Sequence, residues 1–393
     1  MAGEQALSRR ILYVVNTPEF FLSHRLPLAL AAREAGFEVH VATGPGAAVP
    51  EIASRGLRHH AFPLSRNGKN PLAELTSLWR LYRLMRRLQP DLVHLVTIKP
   101  VLYGGLAARL ARVPGVVAAV SGLGSVFVSQ GLGARMIRLG VVRLYRLALG
   151  HPELRVIFQN PDDRAMLICE GAVRPARAVL IRGSGVALEN YPVQPLPAGV
   201  PVVVFAARLL REKGVLEFVE AARRLKARGI AARFWLVGAP DPGNPSSVSE
   251  ADVRAWQAEG VVEPLGYRAD VAEIFAGSNM VVLPSYREGL PKVLIEAAAC
   301  ARAVVTTDVP GCRDAIEAER TGLLVPVRDA SALADAIQRL LESPDLCRQM
   351  GEAGRMLAER TFTIEQVIDA HLAVYRQVLG MAKKADGPLA DGA

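Results

Sequence analysis

Two glutamates, Glu288 and Glu296, stand eight positions apart within the segment SYREGLPKVLIEAAAC. The apolar run NMVVLPS before them predicts a buried strand, and Pro291 suits the first turn of a helix. Glu288 is then in the loop and Glu296 inside the helix. Free N–H groups at the helix start, near Lys292 and Val293, bind a phosphate readily. Two acceptors flanking an anion site suit a nucleotide sugar, with hydroxyls at both ends and a diphosphate between them.

Two cations follow another predicted strand. The segment VVVFAARLLREKG places Arg208 and Lys213 five positions apart where the chain leaves that strand. Such a pair can hold a diphosphate and offset the charge that grows on a leaving group. Either cation alone could belong to a solvated basic turn, and the two glutamates alone could be ordinary helix-start and ion-paired residues. The four together favour a catalytic site.

Short β-branched runs, alternating with helical patterns, must position these side chains. The runs are ILYVV, VHVAT, DLVHLV, GVVAAV and RVIFQN in the first half, and VVVFAA, FWLVG, NMVVLPS and AVVTTD in the second. Strands without polar alternation, separated by helices, predict parallel sheets covered on both faces. We therefore expect an α/β fold of two doubly wound, Rossmann-like domains. Ligands are expected in the cleft between them, at the carboxyl ends of the strands.

The domain boundaries follow from the stretch YPVQPLPAGVP, where prolines recur and periodicity disappears. We predict an N-terminal domain, a linker, a C-terminal domain, a closing helix and a disordered tail. In that order, the predicted ranges are 9–190, 191–200, 201–362, 363–381 and 382–393.

The charge is unevenly distributed along the chain. Residues 1–190 carry 24 Lys and Arg against 12 Asp and Glu, whereas the remainder carries 23 against 26. The basic first half indicates an anionic partner: a phosphate-bearing substrate, an anionic membrane surface or nucleic acid. Nucleic acid is disfavoured because the basic residues are not interleaved with aromatics. No apolar run approaches the ~20 residues of a membrane span, and the apolar segment near the N-terminus is too short for the core of a signal peptide. We therefore expect a cytoplasmic protein.

Two predicted helices carry much of this charge. The first, AELTSLWRLYRLMRRLQP, has an apolar face opposite a basic one, which suits a solvated surface as well as a functional one. Its arginines are Arg80, Arg83, Arg86 and Arg87. The second, ARMIRLGVVRLYRLALG, mixes arginines with Leu139 and Val142, which predicts peripheral attachment to an anionic membrane. Its arginines are Arg135, Arg138, Arg143 and Arg146.

The segments RLLREKG, PSYREGLPKVLIEAAAC and VVTTDVPGCRDAI resemble the family-4 retaining glycosyltransferases of the GT-B fold, marked by two glutamates eight positions apart with Arg and Lys upstream. NPLAELTSLWRLYRLMRRLQPDLVHLVTIKP, VSGLGSVF, VIFQNPDDR and RGSGV are similar to bacterial members that build lipid-linked O-antigen or capsule polysaccharide. The likeness covers nearly the whole chain. It implies transfer of a sugar, with retention, from a nucleotide-diphosphate sugar to a polyprenyl-diphosphate-linked saccharide at the inner face of the cytoplasmic membrane.

The resemblance also implies roles for the matching residues. Arg208 and Lys213 would bind the diphosphate and stabilise the departing nucleotide. Glu288 would contact hydroxyls of the transferred sugar, and Glu296 would hold the ribose. The further donor-site residues are Gly289 and Leu290, which would offer backbone N–H groups, Gly266 and Tyr267, which would seat the base, and Gly185, at a turn near the cleft.

Three departures from the family pattern lie around the cleft. The chain has NTPEFF where members commonly have a Gly-Gly turn, and Ala187 where an aspartate is frequent. Ser121 stands where many members have a histidine near the donor sugar, which leaves the acceptor-side catalytic group open. His24, Lys99 and Ser121 are the acceptor-side candidates by position, whereas His94 is expected to be a core residue.

We expect no cofactor, because the nucleotide sugar is a substrate, and we also expect no metal. The acids of PDD, 161–163, suit a helix start capped by Asn160 rather than a metal site. The four cysteines lack metal-ligand spacing and are expected to be free thiols. A nucleotide-sugar epimerase and a non-catalytic sugar-binding protein remain as alternative functions.

Overall fold

The computed structural model describes residues 8–62, 71–123 and 132–381. Within them the chain forms two parallel sheets separated in sequence, each flanked by helices. The predicted α/β fold of two Rossmann-like domains is confirmed. The predicted disordered tail, 382–393, lies outside the described residues.

The first sheet holds its longest apolar strands in the centre. Its strands are β1 (Arg10–Val14), β2 (Glu38–Thr43), β3 (Arg58–Ala61), β4 (Leu92–Val96), β5 (Gly115–Val120), β6 (Leu154–Phe158) and β7 (Ala178–Leu180). They lie in the order β3-β2-β1-β4-β5-β6-β7. Leu12 and Val14 enter one hydrophobic core and Ile11 and Tyr13 enter another. Because successive side chains point to opposite faces, this sheet is buried on both sides.

Helices cover this sheet and connect its strands. They are α1 (Pro18–His24), α2 (Leu26–Glu34), α3 (Val49–Ser54), α4 (Pro71–Leu88), α5 (Gly105–Ala111), α6 (Leu132–Ala148) and α7 (Pro161–Cys169), with a π-helical segment, Pro100–Gly104, before α5. Helix α7 begins as its sequence predicts: the Asn160 side chain accepts a hydrogen bond from the N–H of Asp163 at 2.8 Å, and Pro161 occupies the first turn.

The second sheet repeats this architecture. Its strands are β8 (Val202–Ala206), β9 (Arg233–Val237), β10 (Glu263–Gly266), β11 (Met280–Leu283), β12 (Ala303–Thr307) and β13 (Gly322–Val325), in the order β10-β9-β8-β11-β12-β13. The helices are α8 (Val215–Ala227), α9 (Glu250–Ala258), α10 (Val271–Ala276), α11 (Lys292–Ala299), α12 (Ala330–Leu341), α13 (Pro344–Thr361) and α14 (Ile364–Val378).

Helix α14 returns the chain to the first domain. Leu372 and Tyr375 belong to the same core as Ile11 and Tyr13 of β1. The Tyr375 hydroxyl lies 3.1 Å from that of Tyr13. The last described helix therefore fastens the end of the second domain to the first.

Loops at the carboxyl ends of both sheets meet between the domains. A Cβ atom placed on Gly289, after β11, would lie 2.6 Å from the carbonyl oxygen of Ser121, after β5, and 2.5 Å from the side-chain oxygen of Gln159, after β6. Parallel sheets bind their ligands beyond the carboxyl ends of the strands. The domain contact therefore lies where the ligand cleft is expected.

The described helices include none that is both long enough and apolar enough to cross a membrane.

Candidate active site

The Glu288 side chain sits in the loop between β11 and α11, as the sequence predicts. Its Oε1 atom accepts a hydrogen bond from the Ser285 hydroxyl at 2.8 Å and forms an ion pair with the Lys213 ammonium. Its backbone N–H donates to the carbonyl of Pro310 at 3.1 Å. The described residues place no donor on Oε2, so this oxygen can accept hydrogen bonds from sugar hydroxyls.

The Lys213 side chain reaches Glu288 because the loop after β8 turns sharply beneath it. Residues Arg211–Lys213 form a 3₁₀ turn, and Gly214 follows with φ +77°. A Cβ atom at Gly214 would overlap the carbonyl oxygen of Pro284, so only glycine fits there. The N–H of Tyr286 also donates to the carbonyl of Glu212 at 2.9 Å, which joins the two loops.

Glu296 lies about one turn into α11 and is almost fully buried. Its Oε1 atom accepts a hydrogen bond from the Tyr191 hydroxyl at 2.7 Å and lies 3.0 Å from the Lys292 ammonium. Burial and the neighbouring carboxylate raise the pKa of Tyr191, so the phenol remains a donor. Tyr191, which the sequence assigned to a linker, therefore holds one carboxylate oxygen of Glu296.

Arg208 lies at the same edge of the sheet but has a different partner. Its guanidinium pairs with Asp241, in the loop after β9, at 2.8 Å, and about half of the side chain is exposed. The structure thus joins Lys213 to Glu288, whereas Arg208 faces the neighbouring loop. All of these loops lie at the carboxyl edge of one sheet, where an extended diphosphate ligand can span them.

Backbone donors complete this edge. The N–H groups of Gly289 and Leu290 have no hydrogen-bond partner within the described chain. The first N–H groups of α11 are also free of intrahelical partners, as at every helix start. Leu290 itself is buried, with its side chain against Gly183. A row of N–H groups beside Lys213 makes this edge suited to an anion.

The other predicted donor-site residues are Gly266, Tyr267 and Gly185. Gly266 ends the edge strand β10 with φ +65°, and Tyr267 beside it is highly exposed. Gly185, with φ +76°, packs against Ile364 at the start of α14. No measured contact joins any of the three to Lys213 or Glu288 among the described residues, so their roles remain predictions.

The three acceptor-side candidates occupy different surroundings. His24 is the last residue of α1, and its ring stacks on that of Phe20 with centroids 4.1 Å apart. Its Nδ1 atom is hydrogen-bonded to the Ser23 hydroxyl at 2.7 Å. Burial, followed by the positive charges of Arg25, Lys292 and Lys213, lowers the pKa of His24 to about 3. His24 is therefore neutral at physiological pH and within electrostatic reach of the cations in the other domain.

The backbone of Ser121 lies against Gly289, in the loop after β11. Lys99 instead pairs with Glu74 of α4 at 2.7 Å. His94 is fully buried and hydrogen-bonded to Tyr375, so it is a core residue as predicted. Ser121 thus lies against the second domain, and the charges of Lys292 and Lys213 in that domain act on His24.

Five residues form interdomain contacts that were not predicted from the sequence. Arg287 pairs with the buried carboxylate of Asp163, and Arg313 lies 3.1 Å from Asp162. The Asn160 side-chain amide donates to the carbonyl of Gly289 at 2.7 Å. The acids of the PDD segment were correctly assigned to a helix start, but nothing in that segment identifies partners more than 120 residues away.

Helix α6 differs from its prediction. Val142 is buried in the core rather than exposed among arginines. Arg138 pairs with Glu170 at 2.6 Å, and Arg146 donates to the Glu170 carbonyl at 3.0 Å. The exposed stripe consists instead of Met136, Leu139, Arg143 and Leu147. Glu170, which follows α7, therefore binds two of the arginines that the sequence assigned to the membrane face.

No group of three or more His, Cys, Asp or Glu side chains that could hold a metal ion occurs in 8–62, 71–123 and 132–381. The four cysteines are free thiols, three of them buried.

Two facing Rossmann-like domains, with a Lys-Glu pair and a row of free N–H groups at the cleft, define a glycosyltransferase of the GT-B class. Known families agree: glycosyl transferases group 1 match residues 200–343, and the glycosyl transferase 4-like family matches residues 10–153. The chain is 31% identical over 351 residues to N,N'-diacetylbacillosaminyl-diphospho-undecaprenol alpha-1,3-N-acetylgalactosaminyltransferase of Campylobacter jejuni, an alignment that covers 83% of this chain and 90% of that relative. The chain therefore belongs to the group 1, GT4-like glycosyltransferases, as its motifs predicted.

Other relatives are more distant. UDP-Gal:alpha-D-GlcNAc-diphosphoundecaprenol alpha-1,3-galactosyltransferase of Escherichia coli is 26% identical over 285 residues, 69% of this chain and 71% of its own. The crystal structure of sucrose-phosphate synthase from Thermosynechococcus elongatus superposes with a TM-score of 0.78 over 95% of this chain and all of its own, at 23% identity. Anabaena HepE in complex with UDP gives 0.74 over 94% of this chain and all of its own, at 19% identity. These structures support the fold.

Proposed function

We propose that this glycosyltransferase moves a sugar from a nucleotide-diphosphate sugar to a polyprenyl-diphosphate-linked saccharide in surface polysaccharide biosynthesis, with retention and without a metal ion. The observation that carries the proposal is the contact between Lys213 and Glu288 beside the free N–H groups of Gly289 and Leu290. A cation, a sugar-hydroxyl acceptor and an anion site thus share one edge of the cleft.

The donor is held from both sides of this contact. Lys213, with Arg208 along the same edge, binds the diphosphate and stabilises the charge that develops on the departing nucleotide. Glu288 accepts hydrogen bonds from the transferred sugar through Oε2. Glu296 holds the ribose, with Tyr191 fixing its other oxygen at 2.7 Å. Gly266 and Tyr267 flank the base, and Gly185 shapes the turn near the cleft.

Retention follows from leaving-group departure and acceptor attack on one face of the sugar. A double displacement needs a carboxylate free to act as nucleophile. Glu288 is given a binding role instead: Lys213 and Ser285 engage its Oε1 atom, and its Oε2 atom accepts the sugar hydroxyls. Cationic side chains in place of a metal ion supply the leaving-group stabilisation.

The acceptor class is supported by the relatives. The Campylobacter jejuni and Escherichia coli enzymes are both named for diphospho-undecaprenol-linked acceptors. The acceptor binds against the first domain, beside His24 and Ser121, with Lys99 farther along the strand ends. His24 stays neutral there, so its imidazole can form a hydrogen bond with the acceptor hydroxyl, whereas its lowered pKa makes it a weak base.

Such an acceptor lies at a membrane, and α6 offers a contact surface. Its exposed stripe places Met136, at 70% exposure, and Leu147, at 56%, on either side of Arg143. Apolar side chains around a cation suit the interface of an anionic bilayer. We therefore propose peripheral attachment at the inner face of the cytoplasmic membrane through this stripe.

Vesicle sedimentation tests the membrane contact. Leu147→Glu should reduce binding to anionic vesicles several-fold, because it adds a like charge and removes apolar area. Met356→Glu is the matched control, since Met356 is similarly exposed, at 53%, in the second domain. Equal binding of the two variants, or equal binding of the unaltered protein to neutral vesicles, would contradict the contact.

Transfer assays test the function itself. A thermal-shift panel of nucleoside diphosphates identifies the donor base, because tight binding raises the apparent stability. The matching nucleotide sugar is then incubated with a polyprenyl-diphosphate-linked saccharide, with and without EDTA, and the product linkage is read by NMR. The expected product keeps the donor's anomeric configuration, and EDTA leaves the rate unchanged. An epimerised donor formed without acceptor would support the epimerase alternative.

A further inference from the structure

We propose that Arg287 is a positioning residue: its ion pair with Asp163 of the first domain holds the Glu288 loop in its working orientation, so that the sugar-binding carboxylate is aligned only when the two domains meet. This inference rests on the proposed function. Arg287 directly precedes Glu288, yet its guanidinium points away from the Lys213 contact and across the domain boundary.

Burial sets this ion pair apart from surface pairs. The Asp163 side chain is fully buried and that of Arg287 is 12% exposed. Burial raises the pKa of the Asp163 carboxyl, and the charge of Arg287 acts against that rise. Removing one partner of such a pair leaves a buried charge without compensation. The contact is therefore costly to break from either side.

The backbone around Glu288 is held to the first domain as well. Asn160, next to Asp163 on the cap of α7, donates to the carbonyl of Gly289 at 2.7 Å and to that of Glu288 at 3.4 Å. Gly289 itself lies so close to Ser121 that a Cβ atom would be 2.6 Å from its carbonyl oxygen. The loop that carries Glu288 thus takes its shape from residues of both domains.

The neighbouring acid provides an internal comparison. Asp162 pairs with Arg313 across the same boundary at 3.1 Å, but these side chains are 45% and 38% exposed. Arg313 also bonds to Asp308 at 2.6 Å within its own domain. Exposed pairs contribute little to stability. Two consecutive acids thus make two interdomain ion pairs: Asp163 makes a buried pair that orients the loop, and Asp162 makes an exposed one.

The experiment is a double-mutant cycle with Arg287→Met, Asp163→Asn and both together, each checked for folding by thermal unfolding. Transfer to a polyprenyl-diphosphate-linked saccharide should lose about 10-fold to 100-fold in kcat in either single variant, since small misplacement of a reacting group has effects of this size. The double variant should lose no more than the worse single one. The affinity for the nucleoside diphosphate that the thermal-shift panel identifies should change less than two-fold, because Lys213 and Glu296 are untouched.

Arg313→Met and Asp162→Asn serve as matched controls and should keep kcat within two-fold. Arg287→Lys should recover part of the loss if charge across the boundary is what matters. The inference is overturned if Arg287→Met equals the controls or if its loss adds to that of Asp163→Asn. It is also overturned if the affinity for the nucleoside diphosphate falls as much as kcat, which would place Arg287 in the donor site.

Small-angle scattering separates this inference from the proposed function. Arg287→Met should enlarge the radius of gyration relative to Arg313→Met, because the domains part more readily. If the radius of gyration grows but the unaltered protein transfers no sugar, the proposed function is contradicted. The role of Arg287 in joining the domains would still be supported. Unchanged scattering, together with normal transfer, would contradict the inference alone.

Discussion

Lys213 and Glu288 lie 75 positions apart in the chain, yet their side chains form an ion pair at the carboxyl edge of the second sheet. They meet because β8 and β11 are neighbours in that sheet, so the loops that follow them are adjacent. The pair places a positive charge next to a carboxylate that still has a free oxygen. In the proposed donor complex, the diphosphate lies against Lys213 and the sugar attached to it lies against Glu288.

Arg208 should contribute to turnover, although it pairs with Asp241 rather than with Glu288. Arg208→Ala removes a cation from the diphosphate edge, and we expect kcat to fall by about 100-fold, as for other lost electrostatic contacts to a developing charge. Steady-state kinetics measure this. Arg211→Ala, three positions on in the same segment, is the control and should keep turnover near normal; equal losses would remove Arg208 from the site.

Tyr191→Phe should weaken donor binding more than it slows turnover. It deletes the 2.7 Å hydrogen bond to Glu296, which is expected to hold the ribose. A hydrogen bond to a charged group contributes about 1.5–3 kcal/mol, so the Kd for the nucleoside diphosphate should rise about 10-fold or more. Calorimetric titration checks the result.

The control for this change is Tyr286→Phe. Its hydroxyl donates to Glu217, also at 2.7 Å, outside the proposed ribose site. If both variants bind the nucleoside diphosphate as the unaltered protein does, then Tyr191 does not orient Glu296.

Gly214→Ala should destabilise the Lys213 loop. Gly214 has φ +77°, and a Cβ atom would overlap the carbonyl oxygen of Pro284. Gly229→Ala is the matched control, because Gly229 has φ +75° with nothing within 4 Å of the added atom. The control should cost about 1 kcal/mol of unfolding free energy through backbone strain alone. Urea denaturation should give a clearly larger loss for Gly214→Ala; similar losses would show that the Pro284 contact yields easily.

Stability should fall as the pH drops below about 6.5. His371 is buried in α14, and burial lowers its pKa to about 3 in the folded protein, while the unfolded chain retains the ordinary value. The unfolded state thus binds more protons between these values, so the stabilisation is complete above pH 6.5 and is lost below it, by up to about 1.4 kcal/mol per pH unit.

Urea denaturation at pH 7.5, 6.0 and 5.0 measures this dependence. His371→Gln removes one such group and should reduce the slope of unfolding free energy against pH, even if it lowers stability at pH 7.5. His94 keeps part of the slope, because burial lowers its pKa as well. Parallel slopes in the two proteins would contradict the assignment to His371.

The central strands could be predicted from the sequence, and the edge strands could not. All nine apolar runs form strands, whereas β3, β7, β10 and β13 were missed. These four are the outer strands of the two sheets. Edge strands are short and partly exposed, so RHHA or EPLG lacks the continuous apolar pattern that burial on both faces imposes.

The positions of the candidate site residues in the fold were predictable where those residues share a local motif. Glu288, Glu296 and Lys213 follow strands or begin helices in patterns that the sequence displays. Tyr191 and Arg287 were missed, because their partners depend on how the linker and the two domains pack. Long-range packing of single polar side chains leaves no periodic signal in the chain.

The role of Lys213 and Glu288 in sugar transfer is tested by single-turnover rates. The rates are measured for the unaltered protein, Lys213→Ala and Glu288→Gln, with Lys226→Ala as the control. Lys226 is exposed on α8, and its ammonium donates to the carbonyls of Glu259 and Gly260. We predict losses of at least about 100-fold for the first two variants, with the fold intact, and none for the control. Rates within a few-fold of the unaltered protein for Lys213→Ala and Glu288→Gln would show that the sugar is transferred elsewhere.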